Sequence, residues 1–487
     1  METTRLRELR FQEVEMTVSG GWGIALVVIA ALVGQAGASE SEPARVRLVV
    51  LTDITSVTAG QAEPDDAQSL IRLLMYANEF DIEGLVASSN MRHGQRVRPD
   101  LIHRILDAYE HDHPQLVRHD ERFPTAERLR EVVKAGQPIA GPKVEFERSV
   151  GLGLSTEGSS WILRVLERDD PRPVHLIVWG GSADLAQALF DARRDHDPGR
   201  LARVLEKARV WSIGLQDSTG SWIRRTFPEL RFTLMERCYR GMYRGGDTDL
   251  ASSEWVRTHL HGHGALGDLY PDYRGGDIFG KLGPVRGVKE GDTPSFLALL
   301  PTGLTDLERP DLGGWGGRFG RLVADDPKNR GGIDIVDPAP ELDTHDDPDP
   351  RMAAVHRWRA DFQNDFQARM DWTIRPFAEA NHPPTPRLNG SRSRTIKPGG
   401  TLELDASATD DPDHDALEFH WSIHPLDPDD PPAASFQFES PNRDRTRLTI
   451  GQGTEGREIP VLLTVRDRGT PPLTRYLRVL LMVRSDE

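Results

Sequence analysis

The sequence predicts an α/β protein: an open, mostly parallel sheet with helices on both faces, followed by a C-terminal all-β sandwich of the immunoglobulin type. Apolar, β-branched runs alternate with amphipathic helical patterns from Val46 to about Met370. A proline-rich stretch interrupts this pattern at 376–386, and short segments of alternating polar and apolar residues follow. We therefore expect an α/β domain over 46–375, a linker over 376–386 and a sandwich over 387–487.

The N-terminal 38 residues have the pattern of a signal peptide. Three arginines precede the apolar segment Gly23 to Gly34, and Ala36 and Ala38 have the small-residue spacing of a cleavage site. The apolar run is short for a membrane span. We expect a signal peptide at 1–38 and a secreted or periplasmic protein. The alternative is an uncleaved signal anchor, which would be its one contact with a membrane.

Composition excludes several classes of function. The 487-residue chain has a net charge of −16 with scattered basic residues, which argues against nucleic acid as the main partner. A single cysteine, Cys238, excludes an internal disulfide framework and cysteine-rich zinc sites. We expect this cysteine to be a small buried residue.

The elements of the α/β domain follow in a regular order. The predicted strands are Val46–Thr52, Ile82–Ala87, Val174–Trp179 and Val210–Gly214. The predicted helices are one opened by Asp65 and Asp66, then Pro99–Tyr109, Glu127–Ala135, Glu157–Glu167, Ala183–Arg194 and Arg351–Met370. The region from Gly241 to Gly332 predicts long loops over a sheet edge. In the sandwich, Trp421 is expected to fill the core.

The segment from Val46 to Leu74 carries the clearest functional pattern. A buried strand ends at Asp53, and Asp65 and Asp66 open the helix that follows. Acids in a first helical turn also complement the helix dipole. Three carboxylates on one strand-to-helix connection repel one another, however, and a hard cation such as Ca²⁺ or Mg²⁺ would relieve that repulsion. Ligands of such sheets bind outside the carboxyl ends of the strands.

Several motifs resemble known proteins. The dipeptide TD at 52–53 and the stretch EPDDAQSLIRLLMYANEFDIEGLVASSN at 63–90 resemble the opening of the nucleoside hydrolases, whose fold is an open α/β sheet. The chain is more similar to a secreted bacterial family that joins a nucleoside-hydrolase-like domain to a C-terminal β-sandwich and is often described as cellulose-binding. KEGDTPSF at 289–296 and GGWGGRF at 313–319 also resemble that family.

The resemblance implies one Ca²⁺ that holds sugar hydroxyls and the attacking water. Asp53 would be both a ligand and the general base, and Asp65 and Asn90 would bind the sugar. The implied metal ligands are Asp53, Asp66, the carbonyl of Ala183, and Asp292. Such an ion lowers the pKa of bound water, and a nearby carboxylate takes its proton.

Aromatic side chains provide candidate platforms for a sugar ring. Trp222 and Trp315 are flanked by glycine and polar residues, so we expect them to bind substrate by stacking. Trp179 lies in an apolar strand and is expected in the core.

The chain departs from the nucleoside hydrolases at three places. Leu51 replaces an extra aspartate, the loop at 55–62 is longer, and Gly291 replaces the histidine that often protonates the leaving base. The candidate replacements for this acid are Glu290, Glu63, His93 and His261.

Three further groups of residues have two interpretations each. His261 and His263 form either a metal-ligating pair or a polar loop beside Tyr270. The acids at 410, 411, 413 and 415 form either a Ca²⁺ loop or an ordinary turn. The acidic stretch at 343–350 is either a solvated loop or a weak metal site.

Two functions follow from these observations. The first is an exported, Ca²⁺-dependent glycosidic-bond hydrolase that acts on a glycoside or a nucleoside-like substrate. The second is a non-catalytic, cellulose-type carbohydrate-binding protein that uses the same sugar site. In both, the expected partner is a carbohydrate or nucleoside-like small molecule.

Overall fold

An eight-stranded sheet forms the centre of the N-terminal region. The computed structural model describes residues 44–58, 64–89, 96–194, 197–275, 284–321, 334–336, 350–424 and 435–484. The expected signal peptide at 1–38 and the acidic stretch at 343–349 lie outside these residues. Among the described residues, no helix has both the length and the apolar character that a membrane crossing requires.

The sheet is mostly parallel, as predicted. Its strands are β1 (Val46–Thr52), β2 (Phe80–Ala87), β3 (Val133–Ala135), β4 (Val174–Val178), β5 (Ala208–Ile213), β6 (Arg231–Met235), β7 (Gly320–Arg321) and β8 (Asp334–Val336). Their order is β3-β2-β1-β4-β5-β6-β8-β7, and only β7 pairs antiparallel. The chain builds outward from β1 to β3, then returns to place β4 on the other side of β1. The strand order therefore reverses between β1 and β4.

Helices cover both faces of the sheet. They are α1 (Asp65–Met75), α2 (Pro99–Leu116), α3 (Ala126–Glu131), α4 (Glu157–Glu167), α5 (Ala183–Arg194), α6 (Pro198–Lys207), α7 (Ser218–Thr226), α8 (Ser253–His259), α9 (Gly264–Leu269), α10 (Pro294–Leu297), α11 (Pro350–His356) and α12 (Arg359–Asp371). Leu48 and Val50 of β1 belong to one apolar cluster, and Val49 and Leu51 to another. This alternation explains why β1 is apolar throughout.

Two predicted helices differ from the structure. The predicted helix Glu127–Ala135 ends at Glu131, and Val133–Ala135 pairs with β2 as an edge strand. The β-branched Val132 and Val133 favour this extended conformation. The predicted helix Arg351–Met370 consists of two helices, α11 and α12, with a break at Arg357 and Trp358.

The C-terminal region is all-β, as predicted. Its strands are β9 (Ser393–Ile396), β10 (Thr401–Asp405), β11 (Glu418–Ile423), β12 (Phe436–Phe438), β13 (Arg445–Ile450), β14 (Glu458–Arg466) and β15 (Thr474–Val483). They form a three-stranded and a four-stranded sheet around one apolar core. Trp421 is 1% exposed in that core, and its indole N–H donates to the carbonyl of Arg443 at 2.9 Å.

The two regions belong to one compact unit that begins at Arg45. Tyr476 of β15 donates its hydroxyl to Asp361 of α12 at 2.5 Å, and Arg475 pairs with Asp365 at 2.6 Å. The backbones of the two regions also approach each other closely, because a Cβ at Gly303 would stand 1.8 Å from the carbonyl oxygen of Tyr476. The sandwich is therefore packed directly onto the α/β region.

Candidate functional site

The candidate site lies where the strand order reverses. Asp53 follows β1, and Gly180 follows β4, the strand beside it. In open α/β sheets such a reversal leaves a crevice at the carboxyl ends of the strands. Gly180 is needed there because a Cβ at this position would stand 2.4 Å from Cγ of Asp53. The absence of a side chain at residue 180 makes room for the Asp53 carboxylate.

Four aspartates converge at this point. Asp65, Asp66 and Asp292 each offer one carboxylate oxygen, and these oxygens lie within 4.8 Å of one another. Burial, together with the negative charges of Asp66, Asp65 and Asp53, holds the pKa of Asp292 well above its usual range. The structure thus brings together Asp53, Asp65, Asp66 and Asp292, although Asp292 is distant in sequence.

Neighbouring side chains orient two of these carboxylates. The hydroxyl of Thr52 donates to Oδ1 of Asp66. The ammonium group of Lys289 lies 3.1 Å from Oδ2 of Asp65 and is almost fully buried. Lys289 is a site residue that the sequence analysis missed, even though it begins the KEGDTPSF motif. The available signal was a lysine three residues before Asp292 in the same motif.

Buried polar contacts hold the loop that carries Asp292. Gln68 of α1 accepts a hydrogen bond from the backbone N–H of Lys289 at 2.7 Å and donates to the carbonyl of Gly287 at 2.9 Å. Ser295 accepts from the indole N–H of Trp179 at 2.8 Å and donates to the carbonyl of Asp292 at 2.5 Å. Trp179 is 1% exposed, which confirms its expected place in the core.

Two carboxylate oxygens of the site have no hydrogen-bond partner among the described residues. They are Oδ1 of Asp65 and Oδ2 of Asp292, and both are buried. A buried carboxylate oxygen without a partner is costly unless a cation compensates it. Several oxygen donors within 4.8 Å fit a hard cation such as Ca²⁺, whose oxygen ligands lie at about 2.4 Å.

The turn after β4 leads into α5, which begins with Ala183 and one further acid, Asp184. Ala183 is buried at the first position of α5, and its carbonyl remains a predicted ligand. Asp184 accepts from the N–H of Gln137 at 3.0 Å and the hydroxyl of Thr156 at 2.5 Å, and burial raises its pKa to about 6. It therefore anchors α5 to the neighbouring loops.

Asp217 is a second residue of interest that the sequence analysis did not develop. Its Oδ1 caps α7 by accepting from the N–H of Thr219 at 2.9 Å. Its Oδ2 is buried without a hydrogen-bond partner among the described residues, and a Cβ at Gly181 would stand 2.6 Å from it. Asp217 thus faces the same glycine turn as Asp53.

Gly291 lies at the site. A Cβ at Gly291 would stand 3.5 Å from Oδ2 of Asp65 and 3.5 Å from Cδ2 of Tyr239. Tyr239 is therefore an aromatic residue of the site that the sequence analysis missed. It follows Cys238, which is buried as expected.

The structure locates two of the four candidate acids. Glu290 is fully buried, 2.6 Å from Nε of Arg72, and accepts from the hydroxyl of Tyr270 at 2.5 Å. This pairing holds Glu290 inside the protein, so we do not assign it as the acid. His261 is hydrogen-bonded through Nε2 to the carbonyl of Tyr270 at 2.9 Å. Glu63 and His93 lie outside the described residues, as does Asn90.

Neither predicted tryptophan platform lies freely open. Trp222 is half-buried on α7 and packs against Phe146 and Phe227, with ring centroids 4.8 Å and 5.4 Å away. Trp315 is fully buried and packs edge-on against Phe362 and Tyr476. A ring without exposed surface offers no face to a sugar, so Trp315 belongs to the contact between the two regions instead of the site.

His261 and His263 belong to a polar loop. His263 contacts a carboxylate oxygen of Asp371 at 3.1 Å through Nε2 and the carbonyl of His261 at 3.2 Å through Nδ1. Asp371 holds the pKa of His263 above its usual value. Both histidines are thus engaged with protein groups, which favours the polar-loop interpretation over a metal-ligating pair.

Comparisons with known proteins agree with this architecture. A family model described as "cellulose-binding Sde182, nucleoside hydrolase-like domain" matches residues 47–319. A second, described as "cellulose-binding protein Sde0182, C-terminal domain", matches residues 401–483. No curated protein matches the chain.

Solved structures are also similar to the chain. A nucleoside hydrolase-related hypothetical protein from Saccharophagus degradans, described as associated with carbohydrate metabolism, is 31% identical. The match covers 91% of this chain and 100% of that one, with a TM-score of 0.74. The effector protein XOO4466 is 11% identical over 69% of this chain and 95% of its own, with a TM-score of 0.36. The PKD domain from KIAA 1837 protein is 18% identical over 21% of this chain and 92% of its own, with a TM-score of 0.16.

Proposed function

The chain belongs to the family of cellulose-binding Sde182 proteins with a nucleoside hydrolase-like domain, and from this premise we propose that it is an exported, Ca²⁺-dependent hydrolase of glycosidic bonds. The proposed substrate is a glycoside or a nucleoside-like compound. One observation carries the proposal: Asp53, Asp65, Asp66 and Asp292 converge where the strand order reverses, and a buried oxygen of Asp65 and one of Asp292 lack hydrogen-bond partners among the described residues.

The proposed metal ligands are Asp53, Asp66, Asp292 and the carbonyl of Ala183. Bound Ca²⁺ would supply a coordinated water with a lowered pKa. Asp53 accepts the proton of the attacking water as general base. Thr52 keeps Asp66 oriented through its hydroxyl hydrogen bond.

The remaining residues act on the sugar. Lys289 fixes one oxygen of Asp65, which leaves the other to accept a hydrogen bond from a sugar hydroxyl. The cluster of negative charge stabilises an oxocarbenium-like sugar as the bond breaks. Tyr239 and Lys289 each carry a proton close to Gly291, since Tyr239 would contact a Cβ there and Lys289 pairs with the neighbouring Asp65, and we propose them as sources of the leaving group's proton.

Calorimetric titration of Ca²⁺ tests the metal site first. The purified chain should bind Ca²⁺ at the site, and Asp66→Asn should lose that binding because one ligand charge is gone. Asp169→Asn is the matched control, since Asp169 is exposed at the opposite end of the sheet. Failure of the wild type to bind Ca²⁺ would sink the proposal.

Turnover separates hydrolysis from binding. Nucleosides, aryl glycosides and cello-oligosaccharides are incubated with the wild type and with Asp53→Asn, and released sugar is measured by chromatography. Turnover that Asp53→Asn abolishes supports the hydrolase. Saturable binding of a cello-oligosaccharide without turnover supports the second candidate, a carbohydrate-binding protein, which the missing side chain at Gly291 favours.

Export rests on the signal-peptide pattern of residues 1–38. Expression in a bacterial host, followed by N-terminal sequencing of the extracellular or periplasmic protein, tests it. A mature chain that begins just after Ala38 is the expected result, and an intact N-terminus on exclusively cytoplasmic protein would contradict export.

A further inference from the structure

A second group of buried oxygens lies between the linker and the sandwich. They are Oδ1 of Asn381, Oδ2 of Asp411 and Oδ2 of Asp467, and none has a hydrogen-bond partner among the described residues. The three residues are 6%, 4% and 1% exposed, respectively. Burial of one such oxygen is costly, and three together indicate that something else compensates them.

Three separate segments carry these residues. Asn381 of the linker donates its amide to Oδ1 of Asp467 at 3.1 Å and to the carbonyl of Pro471 at 2.7 Å. Both amide hydrogens of Asn381 therefore have acceptors, and its Oδ1 takes part in neither hydrogen bond. The next linker residue, His382, donates its backbone N–H to Oδ2 of Asp413 at 2.6 Å. The linker is thus bonded to two acidic loops of the sandwich.

The loop after β10 contributes a cluster of carboxylates. Asp411, Asp413 and Asp415 each offer an oxygen within 4.8 Å of the other two. Two ligands on opposite sides of a Ca²⁺ ion stand about 4.8 Å apart, twice a Ca–O distance of about 2.4 Å.

The backbone of this loop orients Asp411. Its Oδ1 accepts the N–H groups of Asp413 and Asp415, both at 3.0 Å, which leaves Oδ2 for a ligand. Burial raises the pKa of Asp411 and of Asp467, and the negative charge of Asp411 raises that of Asp467 further.

We propose that Asn381, Asp411, Asp413, Asp415 and Asp467 bind a divalent cation of the Ca²⁺ type at this junction. All of the donors are oxygens, which selects a hard cation over a transition metal. The site is separate from the cluster around Asp53, so it is independent of the proposed hydrolysis.

The cation would fasten the linker to the sandwich. On its other side the linker is already held by aromatic contacts: His382 stacks on Phe377 at 3.8 Å, on Trp372 at 5.0 Å and on His119 at 5.2 Å. The ring of His382 therefore contacts the turn after α2 and the end of α12, and its Nδ1 lies 3.0 Å from Oδ1 of Asp413 in the sandwich, which Asn381 also contacts. Cation binding here stabilises the connection between the two regions.

Stoichiometry provides the first test. The full chain is stripped with a chelator, and Ca²⁺ is titrated calorimetrically up to roughly 10 mM, because extracellular Ca²⁺ modules bind at about 10⁻⁴ to 10⁻³ M. Asp411→Asn and Asp467→Asn should each lose one bound ion per chain. Asp410→Asn should lose none, since Asp410 belongs to the same loop but is exposed. An unchanged ion count in Asp411→Asn overturns the proposal.

Thermal unfolding of the Asp66→Asn variant provides the second test, because this substitution leaves the carboxylates of the junction site unchanged. Ca²⁺ should still raise the unfolding temperature of this variant, and the rise should vanish in Asp66→Asn/Asp411→Asn. In chelator, Asp66→Asn/Asp411→Asn should be at least as stable as Asp66→Asn, because the substitution removes a buried negative charge that the neighbouring carboxylates repel. Loss of the Ca²⁺ effect in Asp66→Asn alone overturns the junction site. No effect of Asp66→Asn on the ion count contradicts only the site around Asp53.

Discussion

Replacement of Asp292 by asparagine measures the repulsion in the aspartate cluster. Asn has nearly the same shape but no charge, and Asp292 is 3% exposed beside Asp65 and Asp66. At a separation of 4.8 Å and an effective dielectric constant of about 20, each like-charge pair costs about 3.5 kcal/mol. Uptake of a proton by the cluster limits this penalty. In chelator, we therefore expect Asp292→Asn to raise the free energy of unfolding by about 3 kcal/mol, nearer to one pair than to two.

Ca²⁺ should reverse the order of stability. At a free concentration of 1,000 times its Kd, Ca²⁺ stabilises the wild type by about 4.1 kcal/mol, whereas a variant without this ligand gains little. Urea unfolding at pH 7 gives the free energy of unfolding of the wild type and of Asp292→Asn, each in chelator and with Ca²⁺. Asp169→Asn serves as the charge-matched control. If Asp292→Asn is less stable than the wild type in chelator, the carboxylates do not repel as argued, and the electrostatic reasoning for the metal site is refuted.

Three further perturbations test the site and its surroundings. Gly180→Ala places a Cβ 2.4 Å from Cγ of Asp53, so we expect a loss of Ca²⁺ affinity of about 10–100-fold by calorimetry, and unchanged affinity would contradict the close approach. His175 is buried, and this burial lowers its pKa to about 3, so the unfolded chain binds the extra proton between about pH 6.5 and 3. The free energy of unfolding should therefore fall with decreasing pH over that range by up to about 1.4 kcal/mol per pH unit. Urea unfolding from pH 4 to 8 measures this slope. His175→Gln should remove it, whereas His420→Gln, at an exposed position, should keep it. Trp315→Ala should lower the free energy of unfolding by about 3–5 kcal/mol, because it leaves a cavity in the core, and it should leave Ca²⁺ affinity unchanged. A loss of sugar binding without a loss of stability would instead show that Trp315 is a substrate-binding residue.

Local pattern predicted most of the fold. The apolar run at 46–52 is continuous because both faces of β1 are covered, and the helices at 65–75, 157–167 and 183–194 have clear periodicity. The predictions failed where an edge strand is short. Val133–Ala135 continues a helical pattern in sequence, and its pairing with Leu85 to Ala87, together with the β-branched Val133, makes it a strand.

The acids of the site were recognisable in the sequence because like charges on one strand-to-helix connection repel one another, and a bound cation would relieve that repulsion. The roles of other residues depended on contacts that are distant in sequence. Glu290 became unsuitable as an acid because Arg72 and Tyr270 surround it, and Lys289 became a site residue because its ammonium group reaches Asp65. Periodicity indicates whether a side chain is buried, but it does not identify the partner.

The sequence by itself determined the α/β order, the sandwich and the placement of Asp53, Asp65 and Asp66 on one strand-to-helix connection. Each of these depends on the spacing of residues within a short segment, which the sequence displays directly. Only the tertiary structure decided that Trp315 is enclosed by the sandwich and that Asn381 meets Asp467. Those contacts join residues far apart in the chain, and packing of the whole molecule selects them from many alternatives that local spacing permits equally.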